Sequence, residues 1–109
     1  GGDCESQILS VSDDIIPDEV SLYQNYPNPF NPFTNIEYEI RNKTFVKVTI
    51  YDITGNIVRN IVSQYQTPGL KSVRWNASNN KGQPVASGIY FYSISAGDLI
   101  KTNKMSLIK

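Results

Sequence analysis

The sequence predicts an all-β protein: an immunoglobulin-like two-sheet antiparallel sandwich of about seven strands, preceded by an extended acidic leader. Three observations point there. Seven Tyr, four Phe and frequent Ile and Val stand against a single Met in 109 residues, and aromatic and β-branched side chains fit a pleated, half-buried surface. Apolar and polar residues alternate with period two in several short runs. Turn signals built from Gly, Pro, Asn and Asp separate those runs at near-regular spacing, the pattern of a sandwich. A chain of this length fits one domain and buries enough apolar surface to fold alone.

Residues 1 to 20 read as the leader or linker and residues 21 to 109 as the domain. The leader carries Asp3, Glu5, Asp13, Asp14, Asp18 and Glu19 and no Lys or Arg, whereas the remainder holds all ten basic residues against four acidic ones. A net charge of zero therefore hides a negative leader and a positive body. The basic residues are scattered along the body, which argues against a nucleic-acid stripe. No secretory signal pattern is present, so an export signal belongs upstream of this sequence or has been removed. The longest apolar run is a few residues, far short of the ~20 that span a bilayer. Cys4 has no second cysteine to pair with; it is a free thiol or a link to another chain.

Tyr26 to Pro32 holds three prolines, which forbid helix and supply no ladder donors. Each residue before a proline is pushed toward an extended conformation. Ile36, Tyr38 and Ile40 then alternate with Asn35, Glu37, Glu39 and Arg41, and Val46, Val48 and Ile50 alternate with Lys47 and Thr49. Asp52 to Asn56 supplies turn chemistry, with Gly55 free to adopt positive φ. Ile57 to Val62 suits a short amphipathic helix or a strand, and the flanking turns favour the strand. Thr67-Pro68-Gly69 reads as a hairpin turn. Beyond it, Val73 and Trp75 face one way and Ser72 and Arg74 the other. A polar loop from Asn76 to Gln83 leads to a strand over Ile89 to Ala96, the Gly97-Asp98 turn, and a last strand ending near Ile108. In that strand Met105 and Leu107 face the core.

The residues offer little for catalysis. There is no histidine, hence no imidazole base or ligand. The lone cysteine makes neither a thiolate metal site nor a Cys-His nucleophile, and no Gly-rich phosphate loop occurs. Glu37 and Glu39 form the only close carboxylate pair in the body, and side by side on a strand they read as a solvent face. The Asn76 to Gln83 loop lacks the charged oxygens that calcium needs. The expectation is no enzyme, no metal and no cofactor. Asn42-Lys43-Thr44 and Asn76-Ala77-Ser78 match the glycosylation sequon.

The run from Leu22 through Tyr26-Pro27-Asn28-Pro29-Phe30-Asn31-Pro32 resembles the opening motif of the C-terminal sorting domains of type IX secretion. Val48 to Asp52 with Gly55, then Trp75-Asn76, Gly82, Val85 and Ser87-Gly88-Ile89-Tyr90, and finally Lys104-Met105 with Leu107, resemble the later blocks of that family. The pattern is also similar to the Ig-like domain of the flagellar hook-capping protein. It covers about residues 21 to 109 and departs at Asn76 to Asn80, where relatives often carry Asp. The resemblance implies a non-catalytic domain of a secreted cell-surface protein, exported through the periplasm to the outer surface and recognised by the secretion translocon. The residues it singles out are Asn28, Pro29, Phe30, Asn31 and Pro32, with Lys104, Met105, Leu107 and Lys109 at the far end. The proline motif either contacts the receptor or only shapes the approach to the first strand.

A second expectation comes from charge. A negative leader beside a positive body, with apolar Ile8, Val11, Ile15 and Ile16, suits donation of a strand to a neighbouring copy, which propagates into an extracellular filament or surface layer. Cys4 would then add a covalent link. A third reading places Tyr51, Tyr65 and Tyr92 on one carbohydrate-binding platform, against their use in the core.

Overall fold

The structure, a computed structural model, describes residues 20–108. It contains β1 (Val20–Leu22), β2 (Thr34–Ile40), β3 (Thr44–Tyr51), β4 (Ile57–Gln66), β5 (Gly69–Trp75), β6 (Gly88–Ala96) and β7 (Leu99–Leu107), with no helix among the described residues. Three strands form one antiparallel sheet in the order β1-β2-β5, and four form the other in the order β4-β3-β6-β7. The predicted sandwich is met, including the strand reading of Ile57 to Val62.

Period-two alternation is what closes the two sheets on each other. Ile36, Tyr38 and Ile40 on β2 and Val46, Val48 and Ile50 on β3 are all essentially inaccessible, because every second side chain of each strand leaves water on the same face. Trp75 lies between Phe30 and Tyr90, with ring centroids 5.6 and 5.3 Å away. Leu22, Ile61 and Val73 touch both halves of the apolar interior and make it continuous.

The turn at Thr67 to Gly69 departs from expectation. β4 and β5 do not pair; the chain crosses there from the four-stranded to the three-stranded sheet. Local turn chemistry specifies the reversal but not the partner, and the apolar faces on either side of it require opposite layers. Gly55 does adopt positive φ. Its turn is stapled by one Asp52 carboxylate oxygen, which accepts hydrogen bonds from Thr54 N (2.9 Å), Thr54 Oγ1 (2.6 Å) and Asn56 N (3.0 Å). These bonds hold the exposed Asp52 carboxyl below its ordinary range.

Each long sheet edge carries a device that discourages a further strand. On β4, Asn80 donates its N–H to Val58 O, and its Oδ1 accepts from Asn60 N, both at 3.0 Å. On β5, half-buried Lys71 sits opposite buried Tyr38, so a lysine occupies a core-facing position of an edge strand. An inward charge at an edge is a known guard against edge pairing. Lys71→Val is therefore expected to change stability by no more than about 1 kcal/mol while raising self-association, read by light scattering across a concentration series. A variant that stays monomeric throughout would show that Lys71 is not the guard.

Candidate recognition site

The proline-rich segment has few backbone donors, so its fixation must come from elsewhere. Tyr26 exchanges two backbone hydrogen bonds with Asn35 (3.0 and 2.8 Å). The remaining polar groups are met by a buried network. Asn25, 2 % exposed, donates Nδ2 to Thr34 Oγ1 (3.0 Å) and to Pro27 O (3.2 Å), and Thr34 Oγ1 donates to Pro27 O (2.9 Å). Tyr92 Oη accepts from Asn25 N and donates to Tyr23 O, both at 2.8 Å. Asn103 Nδ2 donates to Tyr92 Oη at 3.3 Å and to Tyr23 O at 3.4 Å. Burial pushes the Tyr92 phenol above its ordinary value, with the bonds from Asn103 and Asn25 opposing the shift. The segment is thereby held across the end of the sandwich.

Its second half grips the last strand. Phe30 donates N–H to Ser106 O and accepts at its carbonyl from Ile108 N, both at 3.0 Å, and Asn28 Oδ1 accepts from Ser106 N at 3.0 Å. Gln24 Nε2 donates to Lys104 O at 3.1 Å. The free edge of β7 is thus covered over its last turn of chain by the segment that precedes β2. The Phe30 ring, 1 % exposed, is a core side chain.

Two groups of residues far apart in sequence therefore meet. Phe30 and Asn28 serve the clamp, and Met105 and Leu107 are buried beneath it. Asn31 and Pro32, both exposed, join Asn76, Ala77, Pro84 and Leu107 around a pocket of about 380 Å³. Its floor is apolar and its rim carries two carboxamides. Asn76 Oδ1 accepts from Ser78 Oγ at 2.5 Å, and Ala77, with φ 60, holds the left-handed turn beside it. Pro29 and Lys104 face solvent. Lys109, Cys4, Ile8, Val11, Ile15 and Ile16 lie outside the described residues. The suggested tyrosine platform does not form: Tyr92 is fully buried, whereas Tyr65 is exposed and Tyr51 half-buried on the opposite face of the sheet.

Sequence reading missed Asn25, Thr34 and Pro84, and the role of the Tyr92 hydroxyl. A usable signal existed for the first two. A proline-rich stretch anchored in a core needs buried side-chain donors for its carbonyls, and Asn25 and Thr34 flank it.

No curated protein matches the chain in sequence. Among solved structures it is similar to PorZ of Porphyromonas gingivalis, an essential bacterial surface component of the type-IX secretion system. The identity is 26 % over 81 % of this chain, the TM-score is 0.58, and only 11 % of PorZ is covered. Latent PorU of the same organism is 20 % identical over 94 % of this chain and 10 % of its own, with a TM-score of 0.69. FlgD of P. aeruginosa is 19 % identical over 81 % of this chain and 65 % of its own, with a TM-score of 0.56. The chain thus spans about a tenth of the first two proteins. Residues 35–99 match the model of the FlgD Ig-like domain, more than half of the sequence, and the chain belongs to the FlgD Ig-like domain family.

Proposed function

We propose that this chain is a non-catalytic C-terminal sorting domain of a secreted cell-surface protein, recognised by type IX secretion machinery at the pocket formed by Asn31, Pro32 and Leu107. The observation that carries the reading is the meeting of the proline motif with the end of β7 at one open pocket. A domain needing only a shaped approach to β2 has use for Asn28 and Phe30, but leaves Asn31 and Pro32 free for a partner. The likeness to a secretion-system surface component adds support. A pre-formed site on a stapled segment also loses little entropy on docking. The setting is the outer cell surface, reached through the periplasm.

The test is export of a reporter fused ahead of the domain. Deleting residues 100–109 is uninformative, because it removes most of β7 and with it two buried side chains. Asn31→Ala combined with Pro32→Ala is expected to keep the melting temperature within a few degrees and to cut export at least severalfold. Undiminished export from the folded double variant sinks the reading. The self-assembly alternative, with the leader donated as a strand, finds less support: the long edges that would receive a strand carry Asn80, Lys71 and the Phe30 clamp.

A further inference from the structure

We infer that the outward face of the four-stranded sheet is a binding site for an acidic polysaccharide, seated in a shallow trough that crosses the strands. The register aligns Asn60, Thr49, Ser93 and Thr102 in one row across β4, β3, β6 and β7. All four face away from the core, yet Thr49 and Ser93 are only 6 % and 8 % exposed. Outward side chains are that hidden only when taller neighbours stand over them. On one side the next row is Ile57, Tyr51, Phe91 and Lys104; on the other it is Ser63, Lys47, Ser95 and Ile100. The small row is the floor; Tyr51, Phe91 and Lys104 wall it on one side, and on the other Lys47 and Ile100 stand above the low Ser63 and Ser95.

The chemistry of floor and walls selects the ligand. Thr49 Oγ1 lies 3.3 Å from Asn60 Oδ1 and is partnered. The Ser93 hydroxyl has no hydrogen-bond partner among the described residues, although it is more than nine-tenths buried. A buried hydroxyl without a partner is costly, so an apolar occupant would leave that cost in place and a hydroxyl-rich one removes it. Half-buried Tyr51 and Phe91 offer ring surface for the C–H faces of sugars. Four strands at ~4.8 Å spacing make the floor about 14 Å long, room for a short run of sugar rings. The outward positions of this sheet carry Lys47 and Lys104 and no carboxylate, whereas Glu37 and Glu39 lie on β2 in the other sheet. That asymmetry favours a chain bearing acidic groups. The site is independent of the sorting pocket, which lies at the end of the sandwich.

Native gel electrophoresis of the full chain through immobilised polygalacturonate tests the inference, with amylose and single-stranded DNA as comparison matrices. Retardation by polygalacturonate alone is expected. Lys47→Glu should weaken it about tenfold, and Ser93→Leu or the exposed Thr102→Leu should abolish it by filling the floor. Glu37→Lys on the other sheet should not weaken it. Thermal melts confirm that each variant is folded, and Thr102→Leu stands in if Ser93→Leu is not. Absence of retardation, equal retardation by amylose or DNA, or undiminished binding by a folded floor-filled variant each overturns the proposal.

Discussion

Phe30→Ala is expected to destabilise the domain by about 3–5 kcal/mol, the range for truncating a large buried aromatic side chain. The ring is 1 % exposed and stands 5.6 Å from Trp75 in the larger apolar cluster. Its removal leaves a cavity at the end of the sandwich where little backbone can collapse, because the flanking segment is fixed by prolines. The same residue holds β7 through Ser106 and Ile108, so the clamp loosens with the ring. Against the 5–15 kcal/mol typical of whole domains, such a loss moves the protein close to half-unfolded at the weak end of that range. Urea unfolding followed by circular dichroism reads it directly. The neighbouring Asn31→Ala, exposed and outside the core, should change stability by less than about 0.5 kcal/mol. A Phe30→Ala cost below about 1 kcal/mol would mean that Phe30 does not anchor the clamp. The contrast also separates folding from recognition: both variants are expected to lose export, but only one of them through the fold.

The sandwich was legible because its signal is local and repeated. Ile36, Tyr38 and Ile40, or Val46, Val48 and Ile50, declare a buried face by alternation alone, and a one-residue slip would turn them to water. Strand partners were not legible in the same way. Pro68-Gly69 looks the same whether the next strand pairs with β4 or crosses to the other sheet, since the choice depends on contacts from distant strands. The recognition end was half legible. The proline motif and the Lys104 to Leu107 segment could each be singled out, but nothing local says that Phe30 bonds Ser106 or that Pro84 closes the same pocket. Tyr92 was left between a platform and the core for a related reason. Tyrosine serves equally in a platform and in a core, and only the alternation of β6, with Tyr90, Tyr92 and Ile94 on one face, decides.

Electrostatics follows the layers more closely than the sequence suggested. The body's positive excess is scattered in sequence, and folding separates part of it: Lys47 and Lys104 reach the outside of one sheet, whereas Glu37 and Glu39 share the outside of the other with Arg74. Alternation explains this, because it sends every second residue of a strand to a single face. Once the register is set, the four-stranded sheet presents outward lysines without carboxylates and the three-stranded sheet presents both signs.

Tyr92→Phe is expected to cost about 1–3 kcal/mol near pH 8, as deletion of a buried hydroxyl leaves its partners unsatisfied. The partners are the Asn25 N–H and the Tyr23 carbonyl, each 2.8 Å from Tyr92 Oη, and Asn103 Nδ2 at 3.3 Å, and Asn25 is 2 % exposed with no ready route to water. The ring volume is kept, so a cavity contributes nothing and the loss reports on the hydroxyl. The pH dependence supplies a second arm. Burial raises the phenols of Tyr38, Tyr90 and Tyr92 above the ordinary 10.0. Below that value all three are neutral in folded and unfolded chains alike. As pH rises through it, the unfolded chain releases these protons first, so stability falls from about pH 10 upward until the folded phenols ionise as well. Phenylalanine at position 92 carries no such proton, so the variant should lose less stability between pH 8 and pH 11 than the unaltered chain. The two unfolding curves should therefore converge at alkaline pH. Parallel curves would mean that Tyr92 ionises as freely in the folded state as in the unfolded one, and that the network around Asn25 is open to water.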